Sequence, residues 1–468
     1  MDCLEDQVAT AIHMHGYFAP REPICVARAP GRLDVMGGNV DYTGGMVLQG
    51  LLRESIRVSA QSRKDDIVRV WNPGASRFGW EPRLELRLGD LYEPENVREF
   101  CELRQGTRWG CYVLGSLCFL MRFHGRYGLK GIDLLIDSDL PPNRGVSSSA
   151  ALEVATLKAV STVWQISCEG VALAMAGQWV ENVVAGAACG IMDQAAIVLG
   201  QEHCLLPMLC QPCQPLPTIV LPRGICIWGI DSMVTRSTTG AAYEAARAAA
   251  FMGYKLICQR EQIKVSRDES SEITRWTDER WDGYLSNLTP SEFRSRYEHW
   301  LPETMTGQEF LECAGVHVDP FTKVEAKQYP VRGAVRYAVE ENLRVQRVRS
   351  LLESAAESGS DNTLRPIGEI LCQSHRAYAE CGLGSAACDE LVERALNAGL
   401  PGAKMTGGGG GGVVAILGRV EDRGTVWAIA EQYAASRGAE PYLFEGSSNG
   451  VDASGVQVMR PLGERGAR

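Results

Sequence analysis

The sequence predicts a mixed α+β fold in two domains, residues 1–215 and 216–468, with an insertion in the second at about 260–330. Three observations predict it. The 468 residues suffice for two or three ordinary domains. Strand-like and helical runs interleave without an internal repeat or the regular alternation of a barrel. Beyond Cys258 the composition turns charged and tryptophan-bearing, which marks the insertion.

"ICVARAP" (24–30) is a short strand-like run closed by proline, and a glycine-rich segment follows. "SIRVSAQSR" alternates like a half-buried strand, and "IVRVWNPG" ends in a turn signal. Residues 106–125 have helical apolar spacing. "GIDLLIDSDLPPNRG" is a strand running into a loop, and 147–166 is a helix with a serine-rich start and an alanine-rich body. A second helix is expected over 168–186, then a buried strand over 224–232. Residues 265–293 read as a surface insertion with short helices. Helices follow over 337–358 and 385–399, and "GGGGGGVVAILG" ends in a strand. The closing Gly/Arg tail is expected to fray.

Net charge is −10 with both signs mixed, which argues against a general binder of nucleic acid or anionic membrane. The chain opens without a basic-then-apolar leader and holds no apolar run of membrane-spanning length, so a cytoplasmic location is expected. Sixteen scattered cysteines read as reduced thiols. Cys210 and Cys213 form a lone Cys-x-x-Cys, favoured as a proline-rich loop over a zinc site. His13 and His15 read as surface residues of an amphipathic stretch. The oligomeric state is left open, with a monomer as the simplest reading.

Four stretches carry chemistry. "LPPNRGVSSSAALEVA" (140–155) places a proline-bounded loop before a serine-rich helix start, an arrangement whose free N–H groups and helix dipole favour a phosphate. Ser147, Ser148 and Ser149 exceed what capping needs, and their hydroxyls can hold phosphate or magnesium. In "KMTGGGGGGVVAIL" (404–417) the glycines abut a strand, so a tight turn against a ligand competes with a flexible spacer. In "PGRLDVMGGNVDYTGG" (30–45), Arg32 can neutralise phosphoryl oxygens and Asp41 can accept bonds from sugar hydroxyls. "WVENVVAGAACGIMDQ" (179–194) adds Glu181 and Asp193, a magnesium ligand and a base in outline. Together these are the parts of phosphoryl transfer.

These stretches resemble, in order and over nearly the whole chain, the three signature motifs of the galactokinase, homoserine kinase, mevalonate kinase and phosphomevalonate kinase (GHMP) superfamily. "CGIMDQ" resembles the galactokinase branch, and within it the chain looks most like plant L-arabinokinases. The resemblance implies an N-terminal domain like ribosomal protein S5 domain 2, a ferredoxin-like C-terminal domain, and a cleft between them that takes ATP, Mg2+ and a small sugar. By position it implies Asp193 as the catalytic carboxylate and Arg32 as its partner in stabilising charge. It implies Ser149 and Glu181 as magnesium ligands, and Asn143, Gly145, Val146, Ser147, Ser148 and Ser149 around the phosphates. Trp109 matches a tryptophan that packs on adenine, a core tryptophan being the alternative. Gly38, Asn39, Asp41, Tyr243 and Gly408 match sugar-contacting positions, with Gly407 and Gly409 closing the cleft.

One departure bears on substrate. Galactokinases read Gly-Glu-His-Thr-Asp-Tyr where this chain reads "GGNVDY" (37–42). The missing Glu and His are the groups expected to hold galactose's exocyclic hydroxymethyl, which L-arabinopyranose lacks. A buried site built for a hydroxyl rejects a ligand without it, so Gly38 and Asn39 are expected to relieve that penalty for a pentose. The chain thus reads as an L-arabinose 1-kinase, with a galactokinase as the alternative. A catalytically silent sugar and ATP sensor is disfavoured because Ser148-Ser149-Ala150, Arg32 and Asp193 are intact.

Overall fold

The computed structural model describes residues 16–125, 128–234, 240–268, 275–358 and 363–459. His13, His15 and the Gly/Arg tail after residue 459 lie outside the described residues.

The fold is α+β, built on two sheets. The larger has nine strands centred on Met46–Ser62, a strand of 17 residues. One edge of it pairs antiparallel with the first strand, Ile24–Met36. Its other edge is shared by Cys204–Leu209 at the start and Ile132–Ser138 at the end. Beyond these lie Ile67–Trp71, parallel to Ile132–Ser138, and Arg83–Arg87. These two outer strands alternate buried and exposed residues with period two, as a half-covered sheet requires. Val456–Met459, at the far end of the chain, pairs with the first strand.

The first strand is buried along almost its whole length. Its pairing breaks register between Pro30 and Arg32 and again between Asp34 and Met36. Pro30 has no N–H to give a ladder, and a register break accommodates that loss. Arg32 and Asp34 fall between the two breaks.

Helices Gly110–His124, Ser148–Trp164 and Gly170–Trp179 pack together beside this sheet, and Ser148–Trp164 lies directly on its first two strands. Ser148–Trp164 is buried nearly all round, from Ala150 to Ser161, as a helix inside a core is. Its buried Ala151, Ala155 and Ala159 lie one turn apart on one side. The helix expected over 168–186 is broken: Gly170–Trp179 is α-helical, and Val180–Val184 is a π-turn carrying Glu181. The wider turn rotates the face that a regular helix would present.

The second sheet, in order Gly402–Met405, Val413–Arg419, Ile225–Asp231 and Leu443–Phe444, is antiparallel throughout. Two long helices, Val331–Ser358 and Leu364–Glu380, reach from it to the first two strands of the larger sheet.

The tryptophan-bearing insertion is not a surface appendage. Trp281, Leu285, Leu288, Phe293, Tyr297 and Phe310 are buried in one core with Phe251 and Tyr254 of the Ala241–Arg260 helix. Asp278 anchors it, accepting bonds from the N–H groups of Arg280, Trp281 and Gly283 and from the Tyr254 hydroxyl. The sequence concealed this core because its aromatics sit in turns and short helices that have no period. Phe293→Ala should therefore lower unfolding free energy by about 3–5 kcal/mol in chemical denaturation. A loss within about 0.5 kcal/mol is the result of a solvated segment and would contradict this packing.

Candidate active site

Arg32 is fully buried and reaches two separate stretches of chain. Its Nε and Nη2 donate to Asp193 Oδ1 at 2.8 and 2.6 Å, and its Nη1 donates to the Gly145 carbonyl at 2.8 Å. Its own N–H donates to the Val146 carbonyl at 3.1 Å. Ser147 Oγ donates to the other Asp193 oxygen at 2.5 Å. Asp193 sits in the first turn of the Met192–Leu199 helix, where the dipole favours an anion, and its side chain is 18% exposed.

The loop before the Ser148–Trp164 helix is wound left-handed at Asn143 (φ 59°), Gly145 (φ 76°) and Ser147 (φ 61°). For Asn143 and Ser147 that conformation is uncommon and costs about 1 kcal/mol or more. Ser147 holds Asp193 rather than capping the helix, whose N-terminus has no side-chain cap. Asn143, Gly145, Ser147, Ser148, Ser149 and Asp193 line a cavity of about 450 Å³ together with several aromatic side chains. Trp109 is among the aromatics but 6% exposed, its indole N–H given to the Glu81 carbonyl at 3.0 Å. Phe78 and Trp80, which sequence reasoning missed, stand more open in the same cavity, with ring centroids 5.0 Å apart. Val146 turns its side chain into the core.

Ser149 Oγ donates to Glu181 Oε1 at 2.9 Å, and Gln194 Nε2 donates to Glu181 Oε2 at 2.8 Å and to Glu153 Oε2 at 3.1 Å. Burial first, then the Asp193 charge, pushes the Glu181 carboxyl up to about 7. Burial, followed by Glu181, raises Glu153 well above the usual carboxylate range. Glu153 was missed, although its place four residues after Ser149 puts both on one helix face. Ser149 and Glu181 offer the hard oxygen donors that magnesium accepts, and that ion needs only one or two from protein when phosphates supply the rest. Among the described residues no group of three His, Cys, Asp or Glu could hold a metal alone.

Asp41 lies 6% exposed, its Oδ2 accepting the Met192 N–H at 3.3 Å. Burial, then Asp193, lifts its carboxyl to about 6. Gly190 makes that position available: a Cβ there would stand 1.9 Å from Asp41 Oδ2. Tyr243 meets Tyr42 edge-on at 6.1 Å. Asn39 is 3% exposed, held at φ 62°, and neither end of its amide has a hydrogen-bond partner. A buried unsatisfied amide is costly and suits a site completed by a polar ligand.

Gly38 departs from expectation. Its missing side chain does not leave an empty pocket: a Cβ there would stand 2.1 Å from Tyr378 Oη, 2.5 Å from Asp34 Oδ2 and 2.6 Å from the Gly407 carbonyl. Gly407, Gly408 and Gly409 are buried in the turn that joins two strands of the second sheet. The turn needs positive φ at Gly407 and Gly409, where a side chain would be strained. It is a tight turn and not a spacer. Asp34 and Lys404, both fully buried, pair at 2.9 Å and tie the first strand to it.

Residues 112–201 match the model of the GHMP kinases N terminal domain, 14–62 the galactokinase galactose-binding signature and 348–436 the GHMP kinases C terminal model. A galactokinase of Chloroflexus aggregans is 30% identical over 85% of this chain and 84% of its own length. The chain belongs to the galactokinase branch of the GHMP kinases. An L-arabinokinase of Arabidopsis thaliana is 36% identical over 95% of this chain, which spans only 48% of that protein. The solved galactokinase of Lactococcus lactis, complexed with galactose, shares the fold at a TM-score of 0.73 and 21% identity, covering 95% of this chain and 98% of that one.

In this GHMP kinase the raised Glu181 carboxyl has a stability consequence. The folded state binds a proton that the unfolded state has released, so this group stabilises most below about 4.5, and the contribution is lost as pH rises through about 7. Glu181→Gln removes that dependence. Its melting temperature, measured from pH 4.5 to 8, should gain steadily on the parent's; a constant difference would contradict the assigned shift.

Proposed function

We propose that this sugar kinase transfers the γ-phosphoryl group of ATP to the anomeric hydroxyl of L-arabinose, giving L-arabinose 1-phosphate. The observation that carries the chemistry is the joint hold of Arg32 and Ser147 on Asp193, beside an uncapped helix N-terminus. Asp193 receives the proton of the attacking hydroxyl, and the fixed Arg32 cation orients its carboxylate for that transfer. The N–H groups from Gly145 to Ser149 bind the phosphates, and the open aromatic wall takes the adenine. Ser149 and Glu181 would hold magnesium, which would supply neutralisation of phosphate charge. Asp41 and the orphaned Asn39 amide take ring hydroxyls, with Tyr243 packed edge-on against the neighbouring Tyr42.

Two observations favour the pentose. The chain is 36% identical to a plant L-arabinokinase, and no acid stands at position 38 to reward a hydroxymethyl. The galactokinase relatives favour the alternative, phosphorylation of galactose.

Coupled ADP release over L-arabinose, galactose and uronic acids decides between them: kcat/KM should be highest for L-arabinose, and a clear galactose preference would overturn the pentose reading. Asp193→Asn should cut kcat by about 10³-fold while nucleotide affinity, by calorimetry, changes little. Near-parental turnover would refute its role and leave a binding protein as the better reading. Magnesium affinity should weaken as pH falls through about 7, since protonated Glu181 cannot ligate.

A further inference from the structure

We infer that Tyr378 is a specificity-determining residue: with Asp34 and the Gly407 carbonyl that it bonds, its hydroxyl occupies the volume that a side chain at position 38 would need. The inference rests on the sugar-kinase reading above and extends it to a residue far from the sugar motif in sequence.

Gly38 is not a glycine for backbone reasons. It is absent from the positive-φ residues, which include Gly37 and Asn39 on either side, so an L-residue could adopt its conformation. What excludes one is occupancy. The atom nearest to an added Cβ is Tyr378 Oη, at 2.1 Å, closer than any real Cβ contact.

Tyr378 cannot swing aside to make room. It is fully buried on the Leu364–Glu380 helix and donates its hydroxyl to the Gly407 carbonyl at 2.6 Å. Its ring lies 5.3 Å from that of Tyr337, whose hydroxyl donates to the Gly38 carbonyl at 2.8 Å. The Lys404 ammonium sits 5.2 Å from the ring centroid, and a Cβ on Gly409 would meet the ring at 3.0 Å. Glu341 braces the same loop, accepting from the Gly37 N–H at 3.2 Å, from Ser374 Oγ at 2.7 Å and from Arg344. The ring is thus wedged between the sugar loop and the glycine turn. Where an acid at position 38 could grip an exocyclic hydroxymethyl, this chain presents a phenol already committed to Gly407. Changing position 38 alone therefore overpacks the wall: Tyr378 Oη is the nearest of three groups in that volume, with Asp34 Oδ2 at 2.5 Å and the Gly407 carbonyl at 2.6 Å, and it holds that carbonyl in place, so position 38 cannot change without position 378 also yielding.

The test is a double-mutant cycle of Gly38→Ala and Tyr378→Phe, followed by Gly38→Glu in both backgrounds. By thermal unfolding without sugar, Gly38→Ala should lower the melting temperature by several degrees in the parent and by less than half as much with Tyr378→Phe. For specificity, kcat/KM is measured on L-arabinose, galactose and other pentose–hexose pairs differing by one hydroxymethyl. The hexose-to-pentose ratio does not depend on the fraction of folded enzyme. It should rise at least tenfold for Gly38→Glu with Tyr378→Phe, and less than threefold for Gly38→Glu alone. Independent, additive effects in the thermal cycle, or equal ratio changes with and without Tyr378→Phe, would overturn the inference. If the parent turns over no sugar of the panel, the functional reading itself falls. If it turns sugars over and the two positions do not couple, only the role of Tyr378 falls.

Discussion

The site depends on one buried cation. Arg32 has no exposed surface, and a guanidinium in that position is tolerable only if its donors are met. It meets them with the Asp193 carboxylate and the Gly145 carbonyl, two stretches 48 residues apart in sequence. The first strand, the loop before the Ser148–Trp164 helix and the Met192–Leu199 helix are thereby locked in one arrangement. Asp193 is oriented by the same contact, and Ser147 holds its second oxygen. The left-handed strain of Ser147 is sustained because its hydroxyl has a fixed acceptor.

A second buried pair does similar work between the first strand and the glycine turn. Lys404 and Asp34 lie with no exposure on either side chain, and losing one partner of such a pair costs about 3–5 kcal/mol. Asp34 also accepts the Gly407 N–H at 3.2 Å and Gln49 Nε2 at 2.8 Å. The glycine turn is therefore bonded to the first strand directly, and Tyr378 packs beside that contact. Three buried carboxyls near Asp193 respond alike to burial. Glu181, Glu153 and Asp41 are all raised, because each is desolvated near another negative group. A ligand bringing magnesium would relieve that repulsion where it is strongest, around Glu181.

Much of this was legible in the sequence because the motifs act locally. A glycine-rich loop before a serine-rich helix start announces free N–H groups whatever surrounds it, and Arg32, Asp41, Glu181 and Asp193 stand in short stretches with recognisable chemistry. The second sheet's turn was legible too, since six glycines abutting a strand leave few alternatives. Legibility failed where partners are remote. Nothing near Gly38 names Tyr378, 340 positions on, and nothing near Asp34 names Lys404. The core of the insertion escaped because Trp281, Phe293 and Tyr297 are not spaced at any period.

The sequence by itself determined the α+β class, the order of the glycine-bearing motifs and the side-chain types within them. These follow from backbone preference and side-chain type, which each residue carries with it. Only the tertiary structure decided which carboxylates share charge, that Ser147 turns to Asp193 and not to its helix, and that position 38 is filled and not vacant. Those outcomes are set by exclusion of volume and by burial, and both are properties of what packs around a residue.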